Sequence, residues 1–230
     1  CFIAAGSTIT KQVDKRGLGI ARARQENKEA FYNPYLENFK RAKIYFGTDG
    51  IRGVVDSELT EDLAYSTGNA LCQLKENPKV IIGRDTRPSG EKISKAIIQG
   101  LINGGAEVFN VGIVPTSAIS YLTKKLGLDY GIVITASHNP KEYNGIKVFG
   151  NSGVKITDTE EIKIESKLKS EISSPGGKVL NLSAEVKAYE EFLKNSINTN
   201  LNNLKILLDC ANGASSKIAP KIFKMLGADV

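Results

Sequence analysis

The 230-residue sequence has no tryptophan, one histidine, one methionine and three cysteines. Cys1, Cys72 and Cys210 lie far apart, with no C-x-x-C and no Cys/His spacing for zinc, which excludes a disulfide scaffold and a zinc module. A sparse, odd cysteine count suits a reducing compartment, so a cytoplasmic protein is expected. Cys72 falls in a helical pattern and reads as a small buried apolar residue. No apolar run approaches the roughly 20 residues of a membrane helix. No charged-then-apolar leader precedes a cleavage site, so nothing points to secretion. The G-x-S-x-G elbow is missing, which leaves a hydrolase triad around the lone His138 unsupported. A chain that starts at Cys1 and holds its only methionine at Met225 reads as an internal piece of a longer protein.

What is present is ordinary globular composition, with 41% hydrophobic and 24% charged residues. That excludes collagen-like and disordered classes and allows one to two domains with a sizeable core. The net charge of +6 is uneven. Residues 1–43 hold nine Lys/Arg against four Asp/Glu, so the remaining 187 residues carry 22 against 21, a net +1. The near-neutral body gives no support for a nucleic-acid face, and the basic leading segment reads as a solvated tail.

The leading segment differs from the rest. Ile3 and Ile9 are six apart with small residues between, which suggests one rung of a parallel β-helix. A charged stretch from Ala21 to Glu29 reads as a short helix, broken at Asn33-Pro34. From Ile44 onward, strands and helices alternate. Thr60 is placed to N-cap a helix through about Glu76. Val80–Ile82 reads as a buried strand, followed by a turn at 83–90. A helix with Ile93, Ala96, Ile97 and Leu101 on one face stops at Gly104-Gly105. Val108–Val111 is a strand, 116–126 a helix, and Gly131–Ile134 a strand running into Thr135–Pro140. Ile146–Phe149 and Val154–Ile156 predict a hairpin around Asn151-Ser152-Gly153. Thr157 with Glu160 predicts a capping box on a helix to about Ile172. A loop at 173–177, a helix over 184–197 and an Asn-rich linker over 198–203 follow. Lys205–Asp209 predicts a new strand, then a turn at Asn212-Gly213 and a helix to Leu226. The repeated β-α units imply a three-layer α/β domain.

Three turns sit where the carboxyl ends of strands would bind a ligand: 47–53, 83–90 and 135–140. All are rich in Gly, Ser, Thr, Arg or Asn, which suits phosphate held by backbone N–H groups and guanidinium. Ser137, between an apolar strand and a Pro-containing loop, is pre-positioned and exposed. The adjacent His138 is expected to diverge from it, so Ser137 reads as a phosphoryl carrier rather than a triad nucleophile. Such a carrier needs positive charge and metal around the transferring oxygens. Arg52 and Lys147 are candidates for the charge, and Lys147 for proton transfer.

Six pieces in order carry a resemblance: Tyr45–Gly53 (YFGTDGIRG), Gly83–Gly90 (GRDTRPSG), Gly112–Thr116 (GIVPT), Thr135–Pro140 (TASHNP), Asn144–Phe149 (NGIKVF) and Leu208–Ala214 (LDCANGA). On these, residues 44–230 resemble the N-terminal part of the α-D-phosphohexomutase family, nearest to its glucosamine-phosphate branch. The resemblance implies interconversion of glucosamine 6-phosphate and glucosamine 1-phosphate through a phosphoserine and a bisphosphate. It makes Ser137 the phosphoserine and, through its phosphate, a Mg²⁺ ligand. Lys147 becomes the acid/base candidate, Arg52 a contact of the phosphoserine region, and His138 and Asn139 shapers of the loop. Thr48 and Asp49 fall in the phosphate loop, while Arg84, Asp85 and Arg87 brace the loops by ion pairs. A hexose 1,6-bisphosphate is implied as activator. The family's D-G-D-x-D-R metal loop does not occur before Val230, so the chain by itself is expected not to turn over substrate. A phosphomannomutase or phosphoglucomutase, or a non-catalytic phosphosugar-binding or trimer-scaffold module, are the alternatives.

A second resemblance lies in FIAAGSTIT…V…LGIARARQENKE. It is similar to the C-terminal end of the bifunctional N-acetylglucosamine-1-phosphate uridyltransferase/glucosamine-1-phosphate acetyltransferase family. That likeness implies the end of a left-handed β-helix, trimerisation through the complete helix, and acetyl-CoA contacts at Ala5 and Arg22. The expected domains are then 1–30 (β-helix end and tail), 31–43 (linker), 44–197 (phosphohexomutase domain 1) and 198–230 (linker and start of a second α/β domain).

Overall fold

The computed structural model describes Phe2–Ile3, Leu18–Gly19 and residues 43–230. The chain divides into two units, Cys1–Asn38 and Phe39–Val230. In the first, β1 (Phe2–Ile3) pairs in parallel with β2 (Leu18–Gly19). The remainder of the expected rung, the helix over 21–29, and the acetyl-CoA candidates Ala5 and Arg22 lie outside the described residues.

The second unit is built on one mixed sheet. Its strands are β3 (Phe46–Gly47), β4 (Gly50–Val54), β5 (Lys79–Arg84), β6 (Glu107–Ile113), β7 (Tyr130–Ile134), β8 (Tyr143–Gly150) and β9 (Lys178–Asn181), in the spatial order β3-β4-β8-β7-β5-β6-β9. Strands β7, β5, β6 and β9 run parallel, and β8, β4 and β3 alternate antiparallel on the other side. The helices are α1 (Glu61–Leu74), α2 (Gly90–Asn103), α3 (Thr116–Lys125), α4 (Asp158–Lys167), α5 (Val186–Asn195) and α6 (Ile218–Met225).

Alternation along the strands sends side chains to two cores. Val80, Ile82, Ile132 and Ile134 pack with Ile93, Ile97 and Leu101 of α2 and Leu71 of α1 on one face. Ile81 and Val133 pack with Ile119 and Leu122 of α3, and with Tyr189 and Ile222, on the other. The result is the expected three-layer α/β arrangement. Thr60 caps α1 through Leu63 N–H at 3.1 Å, and the Thr157–Glu160 capping box opens α4. Gly127, at φ 62°, ends the α3 turn in the left-handed region.

Several elements differ from expectation. Helix α4 ends at Lys167 rather than Ile172 because side chains of α1 take over the chain. Gln73 donates to the Ser170 carbonyl at 2.9 Å, and Asn69 both donates to the Ile172 carbonyl and accepts its N–H. The hairpin return at 154–156 is one bridge, Phe149↔Lys155, rather than a strand. Lys205–Asp209 is not a strand either. Its one ladder partner among the described residues is Asp229, bridged to Lys205, and Leu207 stays 98% exposed. The edge strand β9 is absent from the sequence reading because all four of its residues are exposed, so no burial periodicity marks it. The expected helix over 184–197 is a 3₁₀ turn (Ser183–Glu185) leading into α5.

Candidate active site

The 135–140 loop leaves the carboxyl end of β7, the strand that pairs in parallel with β5 and antiparallel with β8. Ser137 is exposed there and sits at φ 56°, in the left-handed region that a residue with a Cβ occupies at a cost of about 1–2 kcal/mol. The surroundings hold it in that shape. Its N–H donates to Thr135 Oγ1 at 3.0 Å, and that hydroxyl donates to Asp85 Oδ2 at 2.7 Å. The Asp85 N–H in turn donates to the Ile134 carbonyl at 3.0 Å, which ties the turn after β5 to the end of β7.

Arg87 clamps the loop from outside. Its Nη1 donates to the carbonyls of Pro140 (2.7 Å) and Tyr143 (2.9 Å), and its Nη2 to those of Ser137 (3.1 Å) and Asn139 (2.7 Å). Its Nε pairs with Asp85 at 3.2 Å. A planar guanidinium can reach all these acceptors at once, and an ammonium cannot. Arg84 lies 4.0 Å from Glu91, a weak brace beside this one.

The second cluster comes from the β3–β4 turn and β8. The Asp49 carboxylate pairs with Arg52 through one oxygen and with Lys147 through the other. Burial alone would raise the Asp49 pKa, but the hydrogen bond and charge of Lys147, with those of Arg52, hold it below the ordinary carboxylate value. Arg52 Nη1 reaches Asn139 Oδ1 at 3.4 Å, which links this cluster to the serine loop. The Arg52 Nε is buried without a hydrogen-bond partner among the described residues. Gly50, at φ 94°, lets the turn lie against β8, since a Cβ there would stand 2.3 Å from the Ile146 carbonyl oxygen. Gly145 allows a similar approach, with Thr135 and Ile51 carbonyls at 2.7 and 2.8 Å from a Cβ position.

The structure therefore brings Ser137, His138, Asn139, Arg52, Asp49 and Lys147 to one end of the sheet. Thr48 lines a small recess of about 250 Å³ with Tyr45, Asp49 and Arg52. A larger cleft of about 590 Å³ opens between the 85–88 turn, Ser137, Asn139, Lys141 and residues 211–215. His138 departs from expectation. Its Nδ1 lies 3.3 Å from Ser137 Oγ instead of diverging, because the left-handed backbone at Ser137 brings successive side chains to the same side. That distance is long for a hydrogen bond from a hydroxyl. Among the described residues, no group of three His, Cys, Asp or Glu converges as a metal site. The donors present here fit at most one ligand position, through a phosphate on Ser137.

The sequence assigns no site role to Thr135, Asn144 or Glu165, although the first two open the TASHNP and NGIKVF pieces. Asn144 is fully buried and ties the two loops, donating to Ser89 Oγ at 2.9 Å and accepting the Gly145 N–H at 2.8 Å. The Asn144-Gly145 pair just before the expected strand Ile146–Phe149 is the signal the sequence offers for it. Glu165 carries no such signal.

Residues 43–174 match the family described as phosphoglucomutase/phosphomannomutase, alpha/beta/alpha domain I. The chain is 47% identical to a phosphoglucosamine mutase of Clostridioides difficile (strain 630) over 197 residues, covering 81% of this chain and 44% of the relative. It is 46% identical to a phosphoglucosamine mutase of Clostridium novyi (strain NT), covering 80% and 44%. A crystal structure of a phosphoglucomutase/phosphomannomutase family protein from Burkholderia thailandensis superposes with a TM-score of 0.69 at 28% identity, covering 80% of this chain and 42% of that one. The chain thus spans less than half the length of the curated relatives it matches.

Proposed function

Because this chain belongs to the phosphoglucomutase/phosphomannomutase family, we propose that it is part of a phosphoglucosamine mutase, an intramolecular phosphotransferase acting on a small phosphosugar. The observation that carries this reading is the presentation of Ser137. It is an exposed hydroxyl in a left-handed conformation, fixed by Thr135, Asp85 and Arg87, with the cations Arg52 and Lys147 at the same sheet end.

In the proposed reaction Ser137 carries a phosphoryl group, first supplied by a hexose 1,6-bisphosphate. The P–Oγ bond breaks as a P–O bond forms to a free hydroxyl of the monophosphate, and that hydroxyl loses its proton. Lys147 is the residue proposed to relay the proton: its ammonium gives one to the departing Ser137 Oγ and takes one up from the attacking hydroxyl, and the return transfer reverses this. The bisphosphate then gives its other phosphoryl group back to Ser137, so that phosphate moves between O6 and O1 of glucosamine. Arg52 and Lys147 would offset charge on the transferring oxygens. Asp49 would keep those two cations in place until the phosphate arrives, Thr48 would line the phosphate loop, and Asn139 would hold Arg52 against the serine loop. His138, 3.3 Å from Ser137 Oγ, would shape the loop rather than act as base. The family generally uses Mg²⁺, which supplies electrostatic stabilisation when bound. The residues described here do not make a site for it alone.

We further propose that residues 1–30 are the end of an acetyltransferase β-helix and tail, residues 31–43 a linker, 44–197 the first mutase domain and 198–230 the start of the second. The parallel pairing of Phe2–Ile3 with Leu18–Gly19 supports the first assignment, because stacked β-helix coils pair in parallel. Acetyl-CoA contact at Ala5 and Arg22, trimerisation through a complete β-helix and cytoplasmic placement belong to the same proposal. Among the described residues no helix is long and apolar enough to cross a membrane.

The test is Ser137→Ala in the natural full-length protein. Turnover of glucosamine 6-phosphate should vanish with the fold intact, and near-normal turnover would contradict the phosphoserine mechanism.

A further inference from the structure

The turn that carries Asp49 is weakly anchored by its own residues. Ile44 is 78% exposed and Tyr45 42%, so only Phe46 inserts an apolar side chain before the turn. Strand β3 is two residues long and pairs with β4 at only Phe46↔Ile51 and Gly47↔Gly50. Such a stub is too short to hold its place by ladder bonds alone.

Glu165 supplies the missing anchor. One carboxylate oxygen accepts the Ile44 N–H at 2.6 Å, and the other accepts the Tyr45 and Phe46 N–H groups at 2.7 Å each. Asp158 and Glu161 take the Lys43 ammonium at 2.5 and 2.6 Å. Spacings of three and four residues put all three carboxylates on one face of α4. The Glu161 side chain is fully buried there and also pairs with Lys155, so the face is fixed in the fold. Hydrogen bonds from N–H to an ionised carboxylate are roughly twice as strong as neutral ones. The entry strand is therefore held by one helix through charge, at three consecutive backbone N–H groups.

We propose that Glu165 is a positioning residue for the phosphoryl-transfer site, acting through the 44–46 backbone to set the Asp49 carboxylate between Arg52 and Lys147. This rests on the proposed function above. Without Glu165 the three N–H groups turn to water and the turn is free to shift. A displacement of about 1 Å in such a site can cost about 100-fold in rate.

The experiment compares Glu165→Ala and Glu165→Gln with wild type in the natural full-length protein. It measures kcat, KM for glucosamine 6-phosphate, and amide hydrogen exchange over residues 44–53. Glu165→Ala should lower kcat by about tenfold to 100-fold, with KM changed less than about threefold. Exchange over 44–53 should quicken while the rest of the sheet stays protected. Glu165→Gln keeps an acceptor oxygen for Tyr45 and Phe46 but faces Ile44 N–H with an amide donor, so it should recover part of the kcat. A kcat within twofold of wild type in Glu165→Ala would overturn the proposal. If wild type shows no mutase turnover, the functional reading fails instead. Exchange then decides the clamp by itself: unchanged protection over 44–53 in Glu165→Ala would overturn it.

Discussion

The Nη2 of Arg87 donates to the carbonyl oxygen of Ser137 at 3.1 Å, so the exposed hydroxyl at the end of β7 is held by a residue of the turn after β5. The same guanidinium reaches three further carbonyls and the Asp85 carboxylate. Arg87→Lys should therefore behave as a loss. A single ammonium cannot span these acceptors, and hydrogen bonds to a charged group are worth about 1.5–3 kcal/mol. Denaturant unfolding should show a destabilisation of about 2 kcal/mol, and turnover should fall with it. Wild-type stability in Arg87→Lys would mean that the carbonyl contacts carry little weight.

Ser137→Gly should separate stability from function. The left-handed backbone at φ 56° suits glycine, so the variant should gain about 1 kcal/mol in thermal or denaturant unfolding while losing all phosphoryl transfer. A loss of stability instead would show that the hydroxyl holds the loop, rather than the reverse.

Much of this was legible in the sequence. The strand–turn–helix alternation, the caps at Thr60 and Thr157, and the six motif pieces located the sheet and the serine loop. Two kinds of feature were not legible. The first is structure decided by a distant partner: α4 stops at Lys167 because Asn69 and Gln73 bind the chain beyond it, and Lys205–Asp209 fails as a strand because its one ladder contact among the described residues is at Asp229. The second is geometry at a single residue. The φ of Ser137 reverses the expected divergence of His138, and no pattern of residue types announces that angle.

The Asp49 carboxylate, held below its ordinary pKa by Lys147 and Arg52, stabilises the fold above the unfolded carboxylate pKa of about 3.9. That contribution should fade as pH falls through the lower folded value. The stability difference between wild type and Asp49→Asn should therefore be present at pH 7 and shrink below about pH 4. Chemical denaturation at several pH values reads it directly, and a difference that stays constant with pH would place the carboxylate outside the pairing.

Burial pushes the Cys72 thiol up to about 11, so the thiolate that alkylating reagents need is scarce in the folded protein. Iodoacetamide at pH 8 should leave Cys72 unmodified until denaturant is added. The sign of the linkage also follows. The neutral thiol is favoured in the fold, so stability should be fully present below the unfolded thiol value of about 8.5 and decline as pH rises toward 11. Rapid labelling of Cys72 in the native protein would contradict its burial between α1 and α2.

Gly50→Ala should disrupt the Asp49 turn. Its φ of 94° is unfavourable for any residue with a Cβ, and the added methyl would meet the Ile146 carbonyl oxygen at 2.3 Å. A destabilisation of about 2 kcal/mol or more is expected, with loss of turnover. Near-wild-type stability would show that the turn can move away from β8.

The most direct test of the account is peptide mass spectrometry on the natural full-length protein, incubated with a hexose 1,6-bisphosphate and Mg²⁺, with Lys147→Ala alongside. Phosphate on Ser137 is expected in both proteins, with slowed turnover in the variant. An unmodified Ser137 in the wild-type protein would contradict the phosphoryl-transfer mechanism.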